Sequence, residues 1–290
     1  MKRNFILSIL LISSNWAIGL QGLVIPQNAS ILSTAGTGIA GDIHPALNPA
    51  MNISSHSYMQ YSYNTWLGDI KGGHTLFRWG SEIPKQLSIQ TWNAKNLELW
   101  GDKPEERLPS GLPPLGTFGV HYVSAAYSMS HNFNTPYRFG FRLQTNYSHL
   151  FTESLFGITL DVGTTIPMGT SITLGAVIRN LGYEFKNNLQ VELPVESGIG
   201  AAIKLPIIKA SILTDLLYSS SNGQEVRAGI STNWKWMNIN AGTSISKNRN
   251  AKAMGFSLNY RRWKINYGIY FHENSVVLGI PQFLDVRRYL

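Results

Sequence analysis

The chain has 290 residues and a formal charge of +8, with 43% hydrophobic residues, only 14% charged residues and a mean hydropathy of −0.06. That balance excludes a disordered chain, which carries less apolar surface and more charge. The 27 glycines, 13 tyrosines, 12 phenylalanines and 8 tryptophans are a strand-and-turn vocabulary. The absence of cysteine excludes disulfides, thiolate metal sites, cysteine nucleophiles and a lipoprotein anchor.

Lys2 and Arg3 precede an apolar core over 5–12, and Ala17, Gly19 or Gly22 fits a signal-peptidase site. Residues 1–22 are therefore read as a signal peptide, because the apolar core falls well short of the ~20 residues that span a bilayer. No later segment reaches about 18 uncharged apolar residues, so membrane helices are not expected. The remaining positive charge is spread along the chain in ones and twos. A nucleic-acid partner would need a concentrated basic stripe, and none is expected.

A small-residue segment occupies 23–54, and from 55 onward short alternating stretches are separated by turn residues. In 138–148, Phe139, Phe141, Leu143, Thr145 and Tyr147 share one face, while Arg138, Gly140, Arg142, Gln144, Asn146 and Ser148 share the other. The same period of two runs through 156–166, 225–234 and 263–272, and it marks half-buried strands. The second face is Gly, Ser, Thr and Asn rather than Lys and Glu. That is how the lumen of a membrane barrel reads, with the apolar face toward lipid and aromatics such as Trp234, Trp263, Tyr147 and Phe271 near the interfaces.

The fold expected is all-β: an antiparallel transmembrane β-barrel of about 14 strands in the bacterial outer membrane. The barrel is expected over 55–281, its last strand at 274–281, followed by a short tail at 282–290. Connections test the count, since outer loops should be long and periplasmic turns short. The odd-numbered connections include 94–114, 182–194 and 219–224, while the even-numbered ones shrink to Leu205-Pro206 or the Arg262/Trp263 junction. Long and short alternate as a barrel requires.

Gly36, Gly38 and Gly41 match the G-x-G-x-x-G dinucleotide fingerprint. That motif needs a helix opening at its last glycine and an acidic residue about 20 positions on. Pro45 and Pro49 break any such helix, and position 61 is Tyr. No cofactor is expected. Taken whole, the run from Ala35 to Asp42 followed by Asn48, Pro49 and Ala50 resembles the N-terminal signature of the PorV/PorQ family, outer-membrane barrels related to FadL-type transporters. Stretches 63–73, 156–163 and 177–182 are similar to that family's first hairpin, central strand and following strand. The resemblance implies a barrel with the Gly/Ala-rich N-terminal segment in its lumen, where small residues let a backbone pack closely. Gly36, Gly38, Gly41, Asp42, Asn48, Pro49 and Ala50 would then form this hatch.

The seven histidines show no H-x-x-x-H pair, and no metal site is expected. Asp161 and Glu225 are read as lumen residues that pair with Arg142, Arg179 or Arg227, with Arg138 on the same face. Ser148 and His149 point to opposite faces and no G-x-S-x-G elbow exists, so catalysis is not expected. Three functions are carried forward. The resemblance implies a component of protein secretion or surface attachment of the type IX class, with loop 94–114 (Trp100, Asp102, Glu105, Glu106, Arg107) meeting partner proteins. The alternative is a FadL-like channel for a hydrophobic ligand, and the remotest is an outer-membrane lipid hydrolase. In each case the surrounding partner is outer-membrane lipid.

Overall fold

The computed structural model describes residues 21–51, 56–99, 115–132, 136–150, 153–186, 189–220, 223–247, 249–272 and 278–290. The expected signal peptide falls almost wholly outside the described residues, as do Trp100, Asp102, Glu105, Glu106 and Arg107.

Fifteen strands follow one another: β1 Tyr58–Thr65, β2 Lys71–Trp79, β3 Lys85–Leu99, β4 Gly116–Asn132, β5 Arg138–Leu150, β6 Glu153–Met168, β7 Ile172–Lys186, β8 Leu189–Glu192, β9 Glu196–Leu205, β10 Ala210–Ser219, β11 Gly223–Thr232, β12 Met237–Ser246, β13 Arg249–Tyr260, β14 Trp263–His272 and β15 Gln282–Tyr289. Every pairing is antiparallel. Strand β8 is only a hairpin arm on the end of β7, and β7 pairs onward with β9. Strand β1 pairs with β15 from Tyr58↔Tyr289 to Thr65↔Gln282, which closes the remaining 14 strands into a barrel. Closure leaves no edge whose backbone groups would go unpaired in hydrocarbon.

The alternation in the sequence decides which way each face points. On β5, Phe139, Phe141, Leu143 and Tyr147 are 38–48% exposed, whereas Arg142, Gln144, Asn146 and Ser148 are 1–6% exposed. The apolar face is outside and the polar face is inside, the inverse of a water-soluble sheet. Such a belt is stable only against lipid.

The last strand corrects the sequence reading. It is Gln282–Tyr289, not 274–281, so the expected C-terminal tail is the strand that closes the barrel. Pro281 cannot donate to the ladder, and it stands just before the strand, its carbonyl accepting from Tyr270 N–H at 3.1 Å. The neighbouring Arg287 and Arg288 hid the period of two, because one faces the lumen and the other faces outward. The connection expected at 182–194 is shortened in the same way, by the extension of β7 to Lys186 and the β8 hairpin.

Residues 29–51 wind through the lumen. Helix α1 (Ala29–Ser33) is capped by Asn28 Oδ1, which accepts from Ile31 N–H at 3.0 Å, and it lies against β12–β15. A single 3-10 turn, Pro49–Met51, rests on β4–β6. The wall makes room for this segment with glycines that face one another across neighbouring strands: Gly140↔Gly163, Gly175↔Gly200, Gly229↔Gly242 and Gly255↔Gly268. A Cβ at Gly175 would come within 2.7 Å of the Ile39 carbonyl oxygen, and one at Gly268 within 2.7 Å of that of Ala29. At Gly140 and Gly242 it would strike Pro49 and Thr34 closer still. Backbone of the segment thus packs directly on wall backbone at these four positions.

Candidate functional site in the barrel lumen

Two wall carboxylates fasten the luminal segment by its backbone. Asp285 on β15 accepts from Ala29 N–H at 3.0 Å. Asp215 on β10 accepts from Gly38 N–H at 2.6 Å and from Ile39 N–H at 3.2 Å. Gly38 has φ +140°, a conformation that side chains disfavour. These amides are the ones a phosphate-binding loop would turn to its ligand, and a carboxylate of the wall already occupies them. Asn48 donates to the carbonyls of Ile39 at 2.8 Å and Thr164 at 3.1 Å, tying the segment to itself and to β6.

The half of the lumen nearer the long connections has two unlike sides. One is aromatic. Trp66 follows β1, and Trp92, Tyr122, Tyr270 and Phe283 point inward from β3, β4, β14 and β15. Ring centroids are 5.6 Å apart for Trp66–Tyr270, 6.0 Å for Trp66–Phe283 and 5.8 Å for Trp92–Phe283. Ala29 and Leu32 of α1 complete this cluster, and Leu23 and Ile25 pack against it. Tyr122 keeps its hydroxyl satisfied by donating to Asn146 Oδ1 at 3.0 Å. A wall of this kind binds apolar groups through area and ring faces, with few hydrogen bonds to fix orientation.

The other side is ionic. Arg142 meets Asp161 at 3.3 Å. Arg179 pairs with Glu196, Arg227 lies 3.8 Å from Glu196, and Arg227 Nε donates to Glu225 at 2.8 Å. Arg227 also donates to the Gly36 carbonyl at 3.0 Å, so the network reaches the luminal segment. A cavity of about 80 Å³ lies between residues 23–27 and this ionic wall. The luminal segment thus packs against both sides, through Leu23 and Ile25 on the aromatic one and Gly36 on the ionic one.

The lipid-facing side carries a third feature. Two adjoining apolar hollows of about 570 and 500 Å³ lie on the outside of β6, β7, β9 and β10. Small outward residues, Thr164, Ala176 and Ala201, form their floor between Val162, Ile178 and Leu216. Directly behind, Gly198 and Gly200 abut Ile39 of the luminal segment, so the wall there is one backbone layer thick.

Most of the expected site residues meet in the lumen. Gly36, Gly38, Asn48, Pro49 and Ala50 belong to the fastened segment, Gly41 packs on Leu213, and Asp161 and Glu225 pair with expected arginines. Asp42 lies in the segment but outside the hydrogen bonds that fasten it, and Arg138 stands at the start of β5, away from the ionic cluster. Glu196, Asp215 and Asp285 escaped the sequence reading. Their signal was a lone acid on the lumen-facing register of a strand. On the outer face, His149 Nδ1 lies 3.0 Å from Ser154 Oγ. A serine nucleophile also needs the second ring nitrogen held by a third group, and His149 Nε2 has no such partner among the described residues.

No protein-family model and no curated protein matches the sequence. Solved structures do match over almost the whole chain. The toluene transporter TodX of P. putida aligns with a TM-score of 0.68 at 9% identity, over 91% of this chain and 98% of its own. The TodX deltaS2S3 mutant, a monoaromatic hydrocarbon channel, aligns at 0.67 and 9% identity over 91% and 99%. A Pseudomonas aeruginosa FadL homologue aligns at 0.59 and 9% identity over 91% and 98%. The chain shares the barrel fold of these solved structures. These likenesses do not carry the narrower PorV/PorQ assignment.

Proposed function

We propose that this chain is a non-catalytic outer-membrane channel for hydrophobic small molecules, gated by its luminal segment. The observation that carries the proposal is the aromatic side of the lumen, where Leu23, Ile25 and Trp66 pack against the cluster that holds Trp92, Tyr122, Tyr270 and Phe283. An apolar molecule entering from outside meets ring faces there and competes with the chain's own aliphatic side chains. Solved channels of this fold are named for toluene and monoaromatic hydrocarbons, which supports the reading. The thin wall between Ile39 and the outer apolar hollows supports it too, since an apolar solute gains nothing by returning to water.

The secretion or attachment role implied by the PorV/PorQ resemblance would need loop 94–114 as a protein interface, and no observation in the barrel favours it. One preparation separates the two. The protein, tagged and extracted from outer membranes in mild detergent, is titrated with toluene while tryptophan fluorescence is followed, and its co-purifying material is identified by mass spectrometry. Saturable quenching that weakens in Trp92→Ala is expected. Absence of saturable binding, together with stoichiometric exported proteins in the preparation, would overturn the channel.

A further inference from the structure

Three arginines meet at one corner of the barrel, where β13, β14 and β15 end. Arg261 and Arg262 make the turn from β13 to β14, and Arg288 stands opposite Trp263 in the β14–β15 ladder. Tyr289 N–H donates to the Arg262 carbonyl at 2.8 Å, which fixes the turn against the last strand. All three side chains are exposed. The Arg261 guanidinium lies 5.3 Å from the Tyr260 ring centroid and that of Arg288 5.6 Å from the Trp263 centroid. A cation over a ring face keeps its N–H groups available to a further acceptor. Among the described residues, no carboxylate forms an ion pair with any of the three.

The depth of the corner is set by its neighbours. Trp236, Tyr260 and Trp263 are 62%, 67% and 45% exposed on the outer surface, as an interfacial aromatic belt requires. Arg288 shares its lipid-facing register with Val286 and Leu284, which run from it into the apolar band. An arginine on that face is tolerated at headgroup depth and not in hydrocarbon. Short turns mark this end as the periplasmic one. Three cations with planar donor forks, without an ion-pair partner among the described residues, therefore share the depth of the inner-leaflet headgroups.

We propose that Arg261, Arg262 and Arg288 bind the headgroup phosphate of an anionic phospholipid of the periplasmic leaflet, with Trp263 and Tyr260 beneath its glycerol. A zwitterionic lipid brings its own cation into the cluster, so a headgroup such as phosphatidylglycerol is preferred. The site is separate from the lumen and stands whether or not the channel reading does.

The full chain in nanodiscs of phosphatidylcholine with a minor fraction of phosphatidylglycerol tests this by native mass spectrometry of retained lipid. Wild type is expected to retain phosphatidylglycerol selectively. The double variant R262Q/R288Q should lose roughly 30-fold of that preference, as two basic residues at the membrane surface imply. Lys252→Gln, on the outer face toward the other end of β13, should keep it. A heat-modifiable gel shift confirms that each variant is folded. Equal retention by the double variant overturns the proposal, as does a preference abolished by millimolar inorganic phosphate. Loss of a co-purified acidic protein with no change in lipid count overturns it as well.

Discussion

The carboxylate of Asp215, midway along β10, accepts the backbone N–H of Gly38 at 2.6 Å across a separation of 177 residues. A glycine run that resembles a ligand-binding fingerprint is thereby a fastening, with the wall supplying the anion. The same logic repeats at Asp285 and Ala29. Between these two points the luminal segment lies on paired glycines, so it is held by backbone contact and a few charged acceptors rather than by a large apolar core.

Replacing Asp215 by Ala removes the acceptor of two buried amides. A hydrogen bond to a charged group contributes about 1.5–3 kcal/mol. The barrel should still fold, because its ladder is untouched, while hydrogen exchange at Gly38 and Ile39 rises by roughly tenfold or more. Unchanged protection at these amides would show that Asp215 does not hold the segment.

The glycine belt predicts a steric effect with little chemistry. Gly242→Leu places a side chain where the Thr34 carbonyl lies, and backbone cannot yield as a flexible side chain can. The variant should keep its heat-modifiable barrel and lose protease resistance in residues 29–51. Gly169→Ala, at a turn with open space around it, should leave that resistance intact despite its φ of +68°.

The ionic wall should be strongly non-additive. Glu196 lies between Arg179 and Arg227 with side chains 11–13% exposed. Removing one partner of a buried pair typically costs about 3–5 kcal/mol, because the other charge is left uncompensated. Glu196→Gln is therefore expected to lower the unfolding midpoint in urea more than the combined change Glu196→Gln with Arg179→Met. A double-mutant cycle showing simple additivity would refute the coupling.

Leu23 and Ile25 compete with any apolar ligand for the aromatic side of the lumen. Truncating both to Ala removes part of the roughly 1.5–3 kcal/mol that each contributes by burial. Toluene should then bind several-fold more tightly, and Trp92→Ala on this background should reverse the gain. Binding that is weaker after truncation would mean that the two side chains form part of the site.

The alternation along β5 and β6 was enough to settle a barrel, its inside and its outside, because a period of two has only one apolar face to offer the membrane. Loop lengths added the closure and the approximate strand number for the same local reason. The identity of the last strand was not legible, since Pro281 and the Arg287-Arg288 pair interrupt the pattern that marks a strand. Asp161 and Glu225 were found beside arginines because their acids stand on strongly alternating strands. Glu196, Asp215 and Asp285 were not, and neither was the aromatic cluster that draws Trp66, Trp92, Tyr122, Tyr270 and Phe283 from five separate places in the chain. A sequence states which face each residue takes, a property of the pleat alone. Which residues meet across the lumen depends on strand stagger and on the path of residues 29–51 between the walls, and only the closed barrel decides that.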